Sequence, residues 1–297
     1  MKRLAAIAAG LLIAGVPFAV AADISLPGIF NSLKQAFTPT SQDDEIAIGR
    51  DAAATLLGAS KPIADPAVQQ YVNKVGLWIA LQSDRPDLPW HFAVVDSDDI
   101  DAFAAPGGFV FLTRGLLLRL HNEAELAGVL GHEISHVILK HHLKALQKAA
   151  RMDLVSQAAK VGMASKGYDS DLDQELMDKV SNATRNLYSK GLDKDDELAA
   201  DRMGVVLAAR AGYDPYGLLA VLQTLEAVDP HSSKMQLLMA THPAPADRIT
   251  ALSESMAAAN FDRFGKLAEV DGRFNTMMKG LVENAKKAKA PAAVTKK

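Results

Sequence analysis

Histidine occurs eight times in the 297 residues, and four of those fall in 131-GHEISHVILKHH-142. His132, Glu133 and His136 form the pattern H-E-x-x-H. On a helix, residues four apart lie one above the other on one face. His132 and His136 can therefore both reach one zinc ion at about 2.0–2.1 Å. Glu133 lies about 100° further round the helix. Its carboxylate is poorly placed to ligate the ion but well placed beside it, where it can take a proton from the attacking water. A match of this kind arises by chance in roughly one chain in a hundred, so it needs support from elsewhere. A hydrolytic zinc site requires a third protein ligand and an open position. Downstream, Glu197-Leu198-Ala199-Ala200-Asp201 repeats the i, i+4 spacing. Glu197 can complete the ligand set. Asp201, one turn on, can hold a ligand histidine by its outer ring nitrogen and fix its tautomer. The alanines between them allow a close approach to the first helix. Alone, this E-x-x-x-D pair reads as a solvated helix face.

The elements that must carry these groups are legible in outline. Asn122-x-x-Glu125 is a capping box opening a long helix to about Ala150. Leu126, Val129, Leu130, Ile134, Val137 and Ile138 make this helix apolar on much of its circumference. It is expected to be buried, and buried charge needs a partner such as a metal. On a straight continuation, His141 lies about 140° from His136, which assigns it to a second layer or to solvent. His142, His91, His121 and His231 read as surface or loop histidines. Met203, Met235 and Met239 read as packing. Upstream, Ser41-x-x-Asp44 caps one helix and Asp65-Pro66 opens another. Strands are expected at 90-WHFAVV-95 and 108-GFVFLT-113, separated by an acidic, turn-rich stretch. Further helices are expected over 114–121, from Asp214-Pro215, and over 248–259.

Composition bounds the function class. Apolar residues make up 49% and charged residues 23%, as in globular chains. The net charge of −3 and the absence of any nucleic-acid motif argue against nucleic acid as a partner. There is no cysteine, which excludes a thiol nucleophile and a cysteine-based zinc site. The N-terminus has a basic start at Lys2-Arg3, an apolar run, and Ala19-Val20-Ala21 before Asp23. This is the pattern of a signal peptide over 1–21, cleaved near Ala21; the alternative is a retained anchor. Residues 22–40 read as an extended lead-in, 41–283 as the domain that carries the zinc site, and 284–297 as a flexible Lys-rich tail. Export together with a cysteine-free core fits the bacterial periplasm.

Several motifs, taken in order, resemble peptidase family M48. They are Ala102-Phe103-Ala104-Ala105-Pro106-Gly107-Gly108 with Phe109 to Leu116, Glu123-Ala124-Glu125-Leu126-Ala127, Gly131 to His136, Glu197 to Asp201, and Thr241-His242-Pro243 with Arg248-Ile249. The resemblance covers roughly 41–275. It implies an α+β, mostly helical, zincin-like (gluzincin) fold with a small antiparallel or mixed sheet and an active-site helix carrying H-E-x-x-H. It implies one zinc per chain, held by His132, His136 and Glu197, with Glu133 as general base and Asp201 orienting the first histidine. Residues 105–109 (Ala105, Pro106, Gly107, Gly108 and Phe109) resemble the edge that pairs with an extended substrate. His242 resembles a histidine that can act as a fourth ligand and hold the enzyme latent; alternatively His242 or Arg248 stabilises the oxyanion.

The implied function is a zinc endopeptidase acting on unfolded or misfolded envelope polypeptides in quality control. Outer-membrane assembly machinery and peripheral membrane contact are compatible partners. The alternative is a latent, chaperone-like assembly factor capped by His242. Two departures stand out. Asp101 replaces the Asn that many members carry before Ala-Phe-Ala. Tyr188-Ser189-Lys190 stands further from Glu197 than the usual Tyr-Ser-Arg, so 188–196 is not assigned to the site. Residues 151–196 are the candidate cover of the cleft.

Overall fold

Side-chain caps start three of the helices where the sequence places their starts, at Ser41, Asp65 and Asn122. A computed structural model of the chain describes residues 40–58, 61–161, 188, 190–264 and 267–289. The signal-peptide and lead-in readings, and most of the candidate cover, lie outside those residues. Ser41 Oγ accepts from the Asp44 amide at 3.1 Å and opens α1, Gln42–Leu57. Asp65 accepts from the amides of Ala67 and Val68 ahead of Pro66 and opens α2, Pro66–Ala80. Asn122 Oδ1 accepts from the Glu125 amide at 2.8 Å, and Glu125 Oε2 accepts from the His121 amide at 2.8 Å. This reciprocal pair opens α4, Glu123–Ile138.

Between α2 and α4 run β1, His91–Val95; β2, Ala102–Ala105; β3, Phe109–Thr113; and the single turn α3, Arg114–Leu117. The sheet order is β1-β3-β2. β1 pairs parallel with β3 (Phe92 opposite Val110), and β2 pairs antiparallel with β3 (Phe103 opposite Phe111), so the sheet is mixed. The sequence reading placed only a turn-rich stretch where β2 forms. Its Ala102-Phe103-Ala104-Ala105 is poor in β-branched residues, and pairing to β3 overrides that propensity. Gly107 and Gly108 close the hairpin with φ of 77° and 105°, a region that side chains with a Cβ rarely adopt. Beyond α4 come α5, His141–Val161; α6, Lys194–Arg210; α7, Gly217–Glu226; α8, Gln236–Thr241; α9, Pro245–Ala258; and α10, Asp271–Lys289. α10 continues past Glu283, where the sequence suggested a frayed tail.

α4 is the axis of the molecule. All its residues from Glu123 to Val137 are buried. Leu126, Leu130 and Ile134 are fully enclosed among Ile79, Leu112, Leu117 and Leu207. Each such side chain contributes about 1.5–3 kcal/mol relative to exposure. α6 crosses α4 backbone to backbone: a Cβ on Gly131 would stand 2.7 Å from the Gly204 carbonyl oxygen. α4 does not run on to Ala150. Lys140 takes φ 60°, and a new helix leaves at His141. The corner is pinned by Glu45 of α1, which is fully buried. Glu45 receives Lys140 Nζ at 3.2 Å, both Nη atoms of Arg85 at 2.8 and 3.0 Å, and the Gly107 amide at 3.2 Å. Burial works to raise the Glu45 carboxyl, but Arg85 and Lys140 outweigh it and hold it below its usual range.

Candidate active site

α4 and α6 supply the chemistry between them. His132 Nε2 and His136 Nε2 converge to 3.1 Å. Glu197 brings Oε2 to 3.6 Å from the first and Oε1 to 3.5 Å from the second. Ligands 2.0–2.1 Å from a tetrahedral ion stand about 3.3–3.4 Å apart, so these spacings suit one. His242, just after α8, places Nδ1 at 2.7 Å from Glu197 Oε2. One atom from each of His132, His136, Glu197 and His242 lies within 4.8 Å of the others. The donor set also calls for a cation. His132 Nδ1 stands 2.8 Å from Asp201 Oδ1. A carboxylate only accepts, so Nδ1 carries the proton and Nε2 is a bare lone pair facing another imidazole. Glu197 Oε1 is buried with no hydrogen-bond partner.

Arg248 of α9 explains why Asp201 is ionised. Its Nε and Nη2 meet Asp201 at 3.0 and 2.5 Å, and Nη2 is 3.3 Å from His132 Nδ1. Burial favours the neutral acid, but Arg248, then His132, outweigh it and hold Asp201 below the usual carboxylate range. Arg248 thus stands behind His132, away from the cleft. Burial also works against a charged Glu197, yet His242 at hydrogen-bond distance pulls its carboxyl down to about 2. The same contact outweighs burial on His242 and raises it to about 9. Burial lowers both His132 and His136.

Glu133 is 1% exposed, and its Oε2 is unpartnered. Burial raises its carboxyl to about 8; Glu197 and Asp101 push the same way, and His242 and Arg248 oppose them. It lines a cavity of ≈ 190 Å³ with Asp101, Phe103, His142, Tyr188, Glu197 and His242. Asp101 is buried 3.9 Å from His242 Nε2. Burial lifts its carboxyl to about 7, with His242 as the leading opposing charge.

The residues read from the sequence as the substrate edge do not line this cavity. Ala105, Pro106, Gly107 and Gly108 are buried at the hairpin under α1, Phe109 is half-buried, and none lines the cavity. The sheet borders the cavity through Ala102 and Phe103 of β2, with Asp101 just before them, and through the ends of β1 and β3 at Val95 and Thr113. The Thr113 amide donates to Asp101 O at 3.0 Å. By antiparallel alternation, Ala102 and Ala104 turn their backbone groups away from β3. Tyr188 Oη already donates to Ala104 O at 2.6 Å.

His141 falls in the second layer, and residues given no place at the site in the sequence join it there. The Lys140 corner carries His141 and His142 back onto the site; both are buried. His141 Nδ1 is 3.0 Å from His136 Nδ1. His142 stacks flat on Tyr188, with centroids 4.8 Å apart. The stretch 188–196, left unassigned, contributes Tyr188 to the cavity and Asp196 beside His141. His91, His121 and His231 are elsewhere, as read.

The model of peptidase family M48 matches residues 66–256, which hold all the groups above from Asp101 to Arg248. The β-barrel assembly-enhancing protease of Yersinia pestis is 32% identical over 223 residues, 71% of this chain and 43% of that protein. The protein of that name from Escherichia coli (strain K12) is 30% identical over 235 residues, 78% of this chain and 47% of its own. The mitochondrial metalloendopeptidase OMA1 of Schizosaccharomyces pombe is 29% identical over 194 residues, 65% of this chain and 54% of that one. The chain thus spans about half the length of the curated relatives it matches.

Proposed function

The chain belongs to peptidase family M48, and on that premise we propose that it is a zinc-dependent endopeptidase of the bacterial periplasm, acting on unfolded or misfolded envelope polypeptides. The observation that carries this reading is the cluster of His132 Nε2, His136 Nε2 and Glu197 oxygens beside the unpartnered carboxylate of Glu133. Zinc bound there supplies a Lewis acid that polarises the scissile carbonyl and acidifies the attacking water. Asp201 keeps the His132 proton on Nδ1, so that Nε2 is free to ligate. Glu133 takes the proton from the attacking water at its free Oε2 and hands it to the leaving amine. Its buried, unpartnered Oε2 is the place where that proton rests between the two transfers. Arg248 is committed to Asp201, which leaves His242, at the cleft, as the group that steadies the oxyanion. An extended substrate pairs with the outward groups of Ala102 and Ala104, in place of the 105–109 edge read from the sequence.

Localisation rests on the sequence pattern of residues 1–21. Among the described residues, no helix is long and apolar enough to cross a membrane. The identities of the client proteins and any link to outer-membrane assembly are part of the proposal.

The test pairs zinc quantification with digestion of casein by wild type and Glu133→Gln. About one zinc per chain is expected in both, with cleavage lowered roughly 10²–10⁴-fold in the variant. Full activity in Glu133→Gln refutes the mechanism. A second reading, a latent chaperone-like factor, is favoured by His242 lying within 4.8 Å of the other three groups, close enough to close the ligand set. In that case His242→Ala stays inactive on casein; a gain of activity marks a regulated protease.

A further inference from the structure

The outer nitrogens of the two predicted imidazole ligands are backed in different ways. His132 Nδ1 meets the carboxylate of Asp201 directly. His136 Nδ1 meets another imidazole, His141 Nδ1, at 3.0 Å. The second nitrogen of His141, Nε2, is 3.5 Å from Asp196 Oδ1. His136 and His141 are buried, while the Asp196 side chain is 40% exposed. Two Nδ1 atoms in contact need one donor and one acceptor. If His136 Nε2 offers its lone pair to a metal, His136 Nδ1 must carry the proton and His141 Nδ1 must accept it. The proton of His141 then sits on Nε2, facing Asp196, which only accepts. The far end of the chain thereby dictates the tautomer at the near end.

We propose that His141, with Asp196 facing its second nitrogen at 3.5 Å, is a positioning residue that fixes the tautomer and ring orientation of His136 and so sets the metal affinity of the site. The inference rests on the reading of His136 as a metal ligand. The Lys140 corner makes it possible, because on an unbroken helix His141 would lie about 140° away. One helix, α6, then serves the whole centre. Asp196 backs His136 through His141, Glu197 completes the ligand set, and Asp201 backs His132.

The experiment measures zinc affinity of the full chain by competition with a chromophoric chelator, with melting of the metal-free protein alongside. His141→Phe keeps a planar ring and removes the acceptor, and zinc affinity is expected to fall about 10–100-fold. His141→Gln presents an amide oxygen to His136 and an amide N–H to Asp196, and is expected to return affinity to within about threefold of wild type. Asp196→Ala, at a partly exposed position, is expected to lose roughly three- to tenfold. Leu143→Ala loosens the same helix without touching the relay; it should lower the melting temperature and keep zinc affinity.

Wild-type affinity in His141→Phe or Asp196→Ala overturns the proposal. So does failure of His141→Gln to restore affinity, or an equal loss in Leu143→Ala. If His141→Phe does not fold, His141→Gln and Asp196→Ala decide it by the same criteria. A wild-type protein that binds no zinc removes the ligand reading, and the proposal falls with it; zinc binding in wild type with no effect of the variants removes the relay alone.

Discussion

Gly204→Ala tests whether the close crossing of α4 and α6 builds the centre. A Cβ at Gly204 would stand 2.7 Å from the His132 amide nitrogen and 2.9 Å from the Gly131 carbonyl carbon. Carbon in ordinary contact needs about 3.5 Å, and backbone atoms cannot rotate aside, so α6 must withdraw by about 0.5–1 Å. Glu197 and Asp201 lie on the same helix, one to two turns earlier, and move with it. Metal ligation tolerates only about ±0.2 Å in ligand distance. Two energetic effects oppose each other in the metal-free chain. Alanine is favoured over glycine in a helix by about 0.8–1.0 kcal/mol, and overpacking costs about 1–3 kcal/mol. The net loss is therefore about 0–2 kcal/mol, a few degrees of melting temperature at most for a chain of this size. Zinc affinity has no such offset and should fall at least roughly tenfold. The assay is chelator competition with thermal melts in the presence and absence of zinc. Gly280→Ala is the control, since Gly280 is an exposed helix position whose added Cβ meets only the Asp65 carboxylate at 3.8 Å. It should gain stability by up to about 1 kcal/mol and leave zinc binding unchanged. Wild-type zinc affinity in Gly204→Ala, with the full zinc-induced rise in melting temperature, refutes the reasoning.

Other consequences are as direct. Burial holds the Asp101 carboxyl at about 7, above its ordinary 3.8. Its stability contribution is thus full at low pH and is lost as pH rises from about 4 through about 7. Asp101→Asn should match wild type in thermal melts at pH 4 and exceed it at pH 8; equal stability at both values disproves this. Arg248→Met leaves the buried Asp201 carboxylate without its guanidinium, a loss on the order of 3–5 kcal/mol. The double variant with Asp201→Asn should lose less than the sum of the two singles in urea titration; simple additivity counts against the pairing.

Much of this site is local in sequence, and that part is legible there. The spacing of His132, Glu133 and His136, and of Glu197 and Asp201, encodes helix faces, and the starts at Ser41, Asp65 and Asn122 encode caps. What escapes is tertiary. No glycine or proline marks the break at Lys140; its left-handed backbone is held by Glu45, almost a hundred residues earlier. Missing that break placed His142 at the surface and left His141 open between a second layer and solvent, where the structure sets it against His136. β2 escaped because Ala102, Ala104 and Ala105 have little strand preference of their own. With β2 unread, the sequence offered only the hairpin residues 105–109 as a candidate edge, and the outward groups of Ala102 and Ala104 went unnoticed. The role of Arg248 escaped because a lone arginine does not reveal which carboxylate it meets.

The edge of β2 has a bearing on how this protein behaves at high concentration. An unpaired strand is a template for any other strand, including one from a second copy. β2 has four residues, and Tyr188 already occupies the outward carbonyl of Ala104. Among the described residues, a visiting strand finds little more than Ala102 and the amide of Ala104, too short a ladder to hold a casual collision. It must displace a phenol and gain further contacts in the cleft to stay. On the proposed reading of β2 as the docking edge, Tyr188 is therefore the first group a client strand must displace.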